Sequence, residues 1–274
     1  MSNSHAARDI DTSRPHSARM YDYYLGGKDH FDVDKQAAET VASVYPGIFT
    51  CARENRAFMH RATRVLAQEY GIRQWLDIGT GIPTEPNLHQ VAQAVVPEAR
   101  VVYADNDPLV LKYAERLMRS MPQGRTTYIE ADINEPAALL EAPELSAVLD
   151  LSLPVALSMN ALMHFVTDAQ DPYGIVARLL DALPSGSALA LSHCTPDFDP
   201  PTWEKVTAIY TNAGTPVQFR SRKDVARFFT GLDLLDPGIT VGHRWRPEAD
   251  NVGTAARDIT DAEVSLWTGV GIKP

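Results

Sequence analysis

The chain has 274 residues, 45% hydrophobic and 22% charged, a composition that fits one large globular domain or a domain with an appended piece. Thirty-five acids against 25 Lys and Arg leave a net charge of −10, which disfavours a nucleic-acid backbone as partner and makes a small molecule the first expectation. No apolar run approaches the roughly 18–20 residues of a membrane helix, the polar Met1–Arg14 stretch has no signal-peptide core, and Cys51 and Cys194 lie far apart, so a reduced, cytoplasmic setting is expected.

Residues 1–15 are polar and aperiodic and read as a disordered tail. Tyr21, Tyr23 and Tyr24 then precede a Gly26-Gly27 break, with Lys28, Asp29 and His30 just beyond. Such tyrosines either wedge a short helix onto the body or close over a ligand; the density of polar-tipped aromatics at a flexible break suits a lid. Residues 33–45 have a helical apolar face, and Pro46-Gly47 makes a turn. A longer helix is expected from about Cys51 to Tyr70, with Phe58, Met59, Ala62, Val65 and Leu66 along one side and Gly71 as its stop. The arginines of its first turns are expected to be solvated, except that Arg56 beside Asn55 is a candidate clamp for a carboxylate. Residues 16–70 are thus read as a helical cap and 71–274 as the core.

The core opens on Trp75-Leu76-Asp77-Ile78-Gly79-Thr80-Gly81, an apolar run with an acid near its end and a G-x-G turn, as a buried parallel strand reads when it meets a ligand. Strand and helix patterns then alternate. Arg100–Ala104 runs into Asp105-Asn106, and Asp105 lies 24 residues beyond Gly81 (105 − 81), where an acid commonly takes ribose hydroxyls. Pro108 opens a helix through Met118. Thr126–Glu130 leads to Asp132-Ile133, Pro154–Met159 to Asn160, and Ser187–Ser192 to His193. Five such strands predict a mostly parallel sheet with helices on both faces, with ligands beyond the carboxyl ends where these polar residues collect. In the distal part, helices are expected at Pro201–Asn212 and after Ser221, strand material at 232–245, and a closing strand at Val264–Ile272. Phe228 and Phe229 are read as core, and Asp250–Thr260 as an exposed loop.

An acid, then G-x-G, then acids ending the second and third strands resembles the class I S-adenosylmethionine-dependent methyltransferases. That resemblance implies a Rossmann-like α/β fold with a seven-stranded sheet and S-adenosylmethionine as cofactor. It implies that Asp77 lies by the ammonium and sulfonium, Gly79 and Gly81 line the turn, Asp105 takes the ribose, and Asp132 with Ile133 flanks adenine; Thr80 and Asn106 beside them, Asn160 at the fourth strand's end and the Arg56 clamp complete the expected cofactor-binding set. A narrower likeness runs along almost the whole chain. R-M-Y-D-Y-Y-L-G-G-K at 19–28, L-D-I-G-T-G-I-P-T at 76–84, V-Y-A-D-N-D-P at 102–108 and G-V-G-I-K-P at 269–274 are similar to an actinobacterial methyltransferase group once classed as a domain of unknown function. His30 and Ile272 depart from that group's usual Asn and Arg.

An NAD-type oxidoreductase is the near competitor. Its fingerprint needs a third glycine where this chain has Thr84, Pro83 disturbs the entry to a phosphate-binding helix, and Asp77 would repel a pyrophosphate. A non-catalytic module binding the methyl donor or its product is the other alternative. The expected reaction is methyl transfer to a small-molecule acceptor in secondary metabolism. It is achieved mainly by positioning, with a base needed only if the acceptor loses a proton. Candidate bases are His164, His193, Asp22, Tyr23 and His30. No compact His/Cys/Asp spacing suggests a metal site.

Overall fold

A computed structural model describes residues 11–113, 119–247 and 259–274. The N-terminal part is three helices: α1 (Ser17–Tyr24), α2 (Asp32–Val44) and α3 (Ile48–Glu69). Residues 1–10 of the expected tail lie outside the described residues, but 11–14 are held in place. Buried Arg19 donates from Nη1 to the Asp11 carbonyl (3.0 Å) and from Nη2 to that of Arg14 (2.9 Å).

The core alternates as expected: β1 (Gln74–Ile78), α4 (Leu88–Val95), β2 (Arg100–Asp105), α5 (Pro108–Lys112), β3 (Arg125–Glu130), α6 (Pro136–Leu140), α7 (Pro143–Val148), β4 (Ala156–Asn160), α8 (Pro172–Asp181) and β5 (Ala188–Cys194). Residues 114–118, the rest of the helix expected after Pro108, lie outside the described residues. The short helices α6 and α7, each opened by a proline whose missing N–H costs nothing there, had no legible period in five and six residues. The distal part adds α9 (Pro200–Asn212), α10 (Arg222–Ala226), β6 (Asp233–Leu234), β7 (Thr240–Val241), α11 (Asp261–Val264) and β8 (Leu266–Ile272). Most of the polar stretch expected as a loop at 250–260 lies outside the described residues.

The strands form one sheet in the order β3-β2-β1-β4-β5-β8-β6, with β7 also on β8. β1 to β5 run parallel, and β8 is antiparallel to β5, β6 and β7. The sheet has eight strands rather than seven because its last place is split. Asp233–Leu234 pairs Ile272 and Gly271, Thr240–Val241 pairs Thr268 and Trp267, and Asp236-Pro237-Gly238 interrupts the edge between them.

Side chains alternate between two buried layers. Trp75, Val101, Tyr103, Ala156 and Ala188 pack with α3 and α4 on one face. Leu76, Val102, Ala104, Leu157 and Leu189 pack with α6 to α8 on the other, with Phe228 and Phe229 in this layer. Both faces being covered explains why the strands read as continuous apolar runs. A third cluster lies at the carboxyl ends of the strands. There Met20, Tyr24, Val41 and Cys51 meet Trp203, Val206 and Tyr210 of α9. α3 belongs to both: Ile48 to Ala52 to this end cluster, Phe58 to Ala67 to the sheet face. The helices expected as a cap thus share α3 with the sheet face and pack against α9 of the distal part.

Candidate active site

The turn after β1 is shaped by two left-handed glycines, Gly79 (φ 71°) and Gly81 (φ 66°). A Cβ on Gly79 would also come within 2.6 Å of Leu162 Cδ1. Gly81 N–H donates to Asp105 Oδ2 (2.7 Å), and Asp107 N–H to Asp105 Oδ1 (2.9 Å), so the acid ending β2 staples both turns together. The next helix begins only at Leu88, behind an Asn87 cap. No helix N-terminus follows the second glycine directly, unlike the arrangement that binds a pyrophosphate.

Above the turn is a cavity of about 290 Å³. All ten residues expected at the cofactor line it, from Arg56 and Asp77 to Asn160. Burial at the strand end pushes the Asp77 carboxyl up to about 6, against a hydrogen bond from Ser158, which faces it across the β1–β4 register, and the nearby Arg56 cation. Asn160 Nδ2 donates to Ser158 Oγ (2.8 Å), and Asn160 Oδ1 has no partner. Burial likewise raises the Asp105 carboxyl, against the two N–H donors that hold it. Arg56 is partly committed, its Nη2 donating to the carbonyls of Thr84 and Pro86. Asp132 is exposed and accepts from Asn134 N–H (2.9 Å), while Ile133 beside it is buried.

Of the five candidate bases, His164 alone is among the cavity-lining residues. Its Nδ1 is buried without a partner, and burial, then His193 and the Arg220 cation, hold it well below the usual imidazole range. His193 has both nitrogens engaged, Nδ1 with the Cys194 carbonyl (2.7 Å) and Nε2 with Arg220 Nη1 (3.1 Å). Burial drives its pKa to about 3. Its role is to seat Arg220, whose other bonds reach the carbonyls of Met163 and Val166 and the Asp168 carboxylate. Asp22, Tyr23 and His30 do not line the cavity. Asp22 is buried and accepts from Asp29 N–H (2.9 Å) and meets His30 Nδ1 (2.9 Å), closing the diglycine loop, and Tyr23 donates to Glu39 (3.1 Å). Arg61, expected among the solvated arginines, is also structural. It is buried and donates to the carbonyls of Trp245 (2.8 Å) and Gly242 (2.7 Å).

Several cavity residues were not singled out as site residues from the sequence. His16, Ala18, Tyr21 and Tyr24 of the α1 region reach over the turn, and an added Gly81 Cβ would lie 3.9 Å from Ala18 Cβ. Their spacing, with Tyr21 and Tyr24 three apart and Tyr23 on the other side, was a usable signal. Asn55 turned out to be a brace, donating to Tyr21 Oη (2.8 Å) and accepting from Ser192 Oγ of β5. Trp203 and Tyr210 belong to the helix expected at Pro201–Asn212, and helical periodicity does not distinguish a face turned to a core from one turned to a cavity.

Known proteins bear on this geometry. No curated protein matches the chain. A DUF574 family protein from Streptomyces avermitilis MA-4680 is 48% identical, with a TM-score of 0.93 over 97% of this chain and 100% of that one. A candidate methyltransferase from Thermobifida fusca YX is 34% identical, with a TM-score of 0.86 over 96% of each chain. Magnesium protoporphyrin IX methyltransferase from Synechocystis PCC 6803, solved with bound S-adenosylhomocysteine, is 13% identical, with a TM-score of 0.53 over 93% of each chain, and shows the shared fold. A family model described as S-adenosyl methyltransferase matches residues 3–274. This excludes the NAD-type alternative, and the chain belongs to the S-adenosyl methyltransferase family: it is an S-adenosylmethionine-dependent methyltransferase.

Proposed function

We propose that the protein methylates a small-molecule acceptor held beside the cofactor under the α1–α9 cap. The observation that carries this reading is that one cavity joins the acidic strand ends to an aromatic chamber. The residues present fit the cofactor. Asp77, costly to ionise alone, gains a counter-ion from an ammonium or sulfonium. Each Asp105 oxygen accepts one N–H bond and keeps a lone pair for a ribose hydroxyl. The buried side chain of Ile133 offers an apolar surface for adenine, and the unpaired Asn160 Oδ1 is free to accept. Arg56 would face the carboxylate.

When bound, the cofactor supplies an activated methyl group, so the chain's contribution is positioning, water exclusion and, for an oxygen or nitrogen acceptor, removal of one proton. His164, neutral at ordinary pH and facing the cavity, is the proposed acceptor of that proton. The α1 segment is read as a lid, since Tyr21 braces it through Asn55 to β5 and its Ala18 covers the glycine turn. No helix of the described residues is long and apolar enough to cross a membrane. The two buried free thiols, Cys51 and Cys194, support a reducing, cytoplasmic setting. A place in secondary metabolism is part of the same reading. The test is transfer of labelled methyl groups into fractionated extract of the source organism. Label in the low-molecular-mass fraction supports the proposal, and label confined to protein or nucleic acid overturns it.

A further inference from the structure

The cavity is chemically divided. Its Lys, Arg, Asp and Glu residues, which are Arg56, Asp77, Asp105 and Asp132, all belong to the strand-end half. The other half is walled by rings in mutual contact. His164 lies 4.4 Å from Phe165 and 5.7 Å from Phe219, Phe219 lies 4.5 Å from Trp203, and Phe165 lies 5.9 Å from Tyr210, centroid to centroid. Among the described lining residues of this half none is a Lys, Arg, Asp or Glu. A charged ligand there would lose its hydration with no counter-ion, whereas a flat ring would find edge and face partners on several sides.

The wall is not wholly apolar. Two of its side chains are at least nine-tenths buried and carry a polar atom left unsatisfied by the protein: Trp203 Nε1 and His164 Nδ1. Unsatisfied buried polar atoms cost stability unless a ligand pairs them. Indole N–H donates only, so its partner must be an acceptor atom; a neutral imidazole nitrogen takes either role by tautomer. One hydroxyl on an otherwise apolar ring meets both demands, accepting from Trp203 while donating to His164.

We infer that the aromatic half of the cavity binds an uncharged, flat aromatic molecule bearing a hydroxyl group, and that this molecule is the class of acceptor. The inference rests on the reading of the strand-end half as the cofactor site. The test is calorimetry on the full chain saturated with S-adenosylhomocysteine, titrated with naphthol, naphthoate and naphthylmethylamine. Naphthol should bind, and the anion and the cation should bind at least tenfold more weakly. Trp203→Phe, which keeps a ring and removes the N–H, should weaken naphthol several-fold while leaving S-adenosylhomocysteine affinity unchanged, which also shows that the variant is folded. Equal binding of naphthoate or naphthylmethylamine, no binding of naphthol, or indifference of naphthol to Trp203→Phe overturns the inference. Failure of S-adenosylhomocysteine itself to bind would instead sink the cofactor-site reading.

Discussion

At Asp77 two requirements meet. The strand end must be buried to hold the sheet, and a buried carboxylate resists ionisation, here up to about 6 from an ordinary value of 3.8. Because the folded-state pKa is raised, the native protein binds more protons than the unfolded chain between those values. Its contribution to stability therefore falls as pH rises through that window and is level above it. Ligand affinity runs the other way, since an ammonium needs the ionised acid. S-adenosylhomocysteine should bind roughly tenfold more weakly at about pH 5 than at about pH 7.5, and Asp77→Asn should flatten that profile. A profile unchanged in the variant would remove Asp77 from this role. Asp105 has two tasks, because its oxygens also hold Gly81 and Asp107. Asp105→Ala should weaken S-adenosylhomocysteine binding by about 1–3 kcal/mol and lower the melting temperature as well, read by calorimetry and thermal denaturation. A changed affinity at unchanged stability would mean that the staple carries no weight.

Among the elements, the diglycine loop shows how a motif can look catalytic and be structural. Asp22 tucks under the backbone of Asp29 and against His30, and an added Cβ on Gly27 would collide with its carboxylate. Gly27→Ala should expel Asp22 and destabilise the protein by about 2 kcal/mol, seen as a lower urea midpoint, whereas Gly26→Asn should be milder because nothing crowds Gly26 and Asn tolerates its left-handed φ of 77°. Equal effects of the two would refute this account of the loop. A flexible hinge and a tightly built one share the same dipeptide; only the position of Asp22 separates them.

For the molecule as a whole, cap and core should behave as one unit, since α3 contributes to both and Asn55 links Tyr21 to β5. Ligand binding at the strand ends should therefore raise the melting temperature of a single transition. S-adenosylhomocysteine at 100 times its dissociation constant should stabilise by about 2.7 kcal/mol, and NAD at the same concentration should do nothing. Differential scanning calorimetry checks both, and a separate early transition insensitive to ligand would show that the cap unfolds alone. The five parallel strands and their coverage on both faces were legible beforehand, and the ten residues expected around the turn line one cavity. Short apolar runs, turn glycines and strand-end acids are local signals, and parallel topology brings strand ends together by rule. What was not legible required partners distant in sequence. His193 and Arg61 looked like free polar groups until Arg220 and the Gly242–Trp245 backbone were placed against them. The apolar stripe of α9 gave no hint that it faces a cavity. Sequence alone marked the residues proposed to hold the methyl donor, because they fall at consecutive strand ends. Only the tertiary structure brought together the aromatic chamber proposed for the acceptor, because it is assembled from α1, α3, α9 and the loop after β4, whose meeting depends on long-range packing rather than on any local pattern.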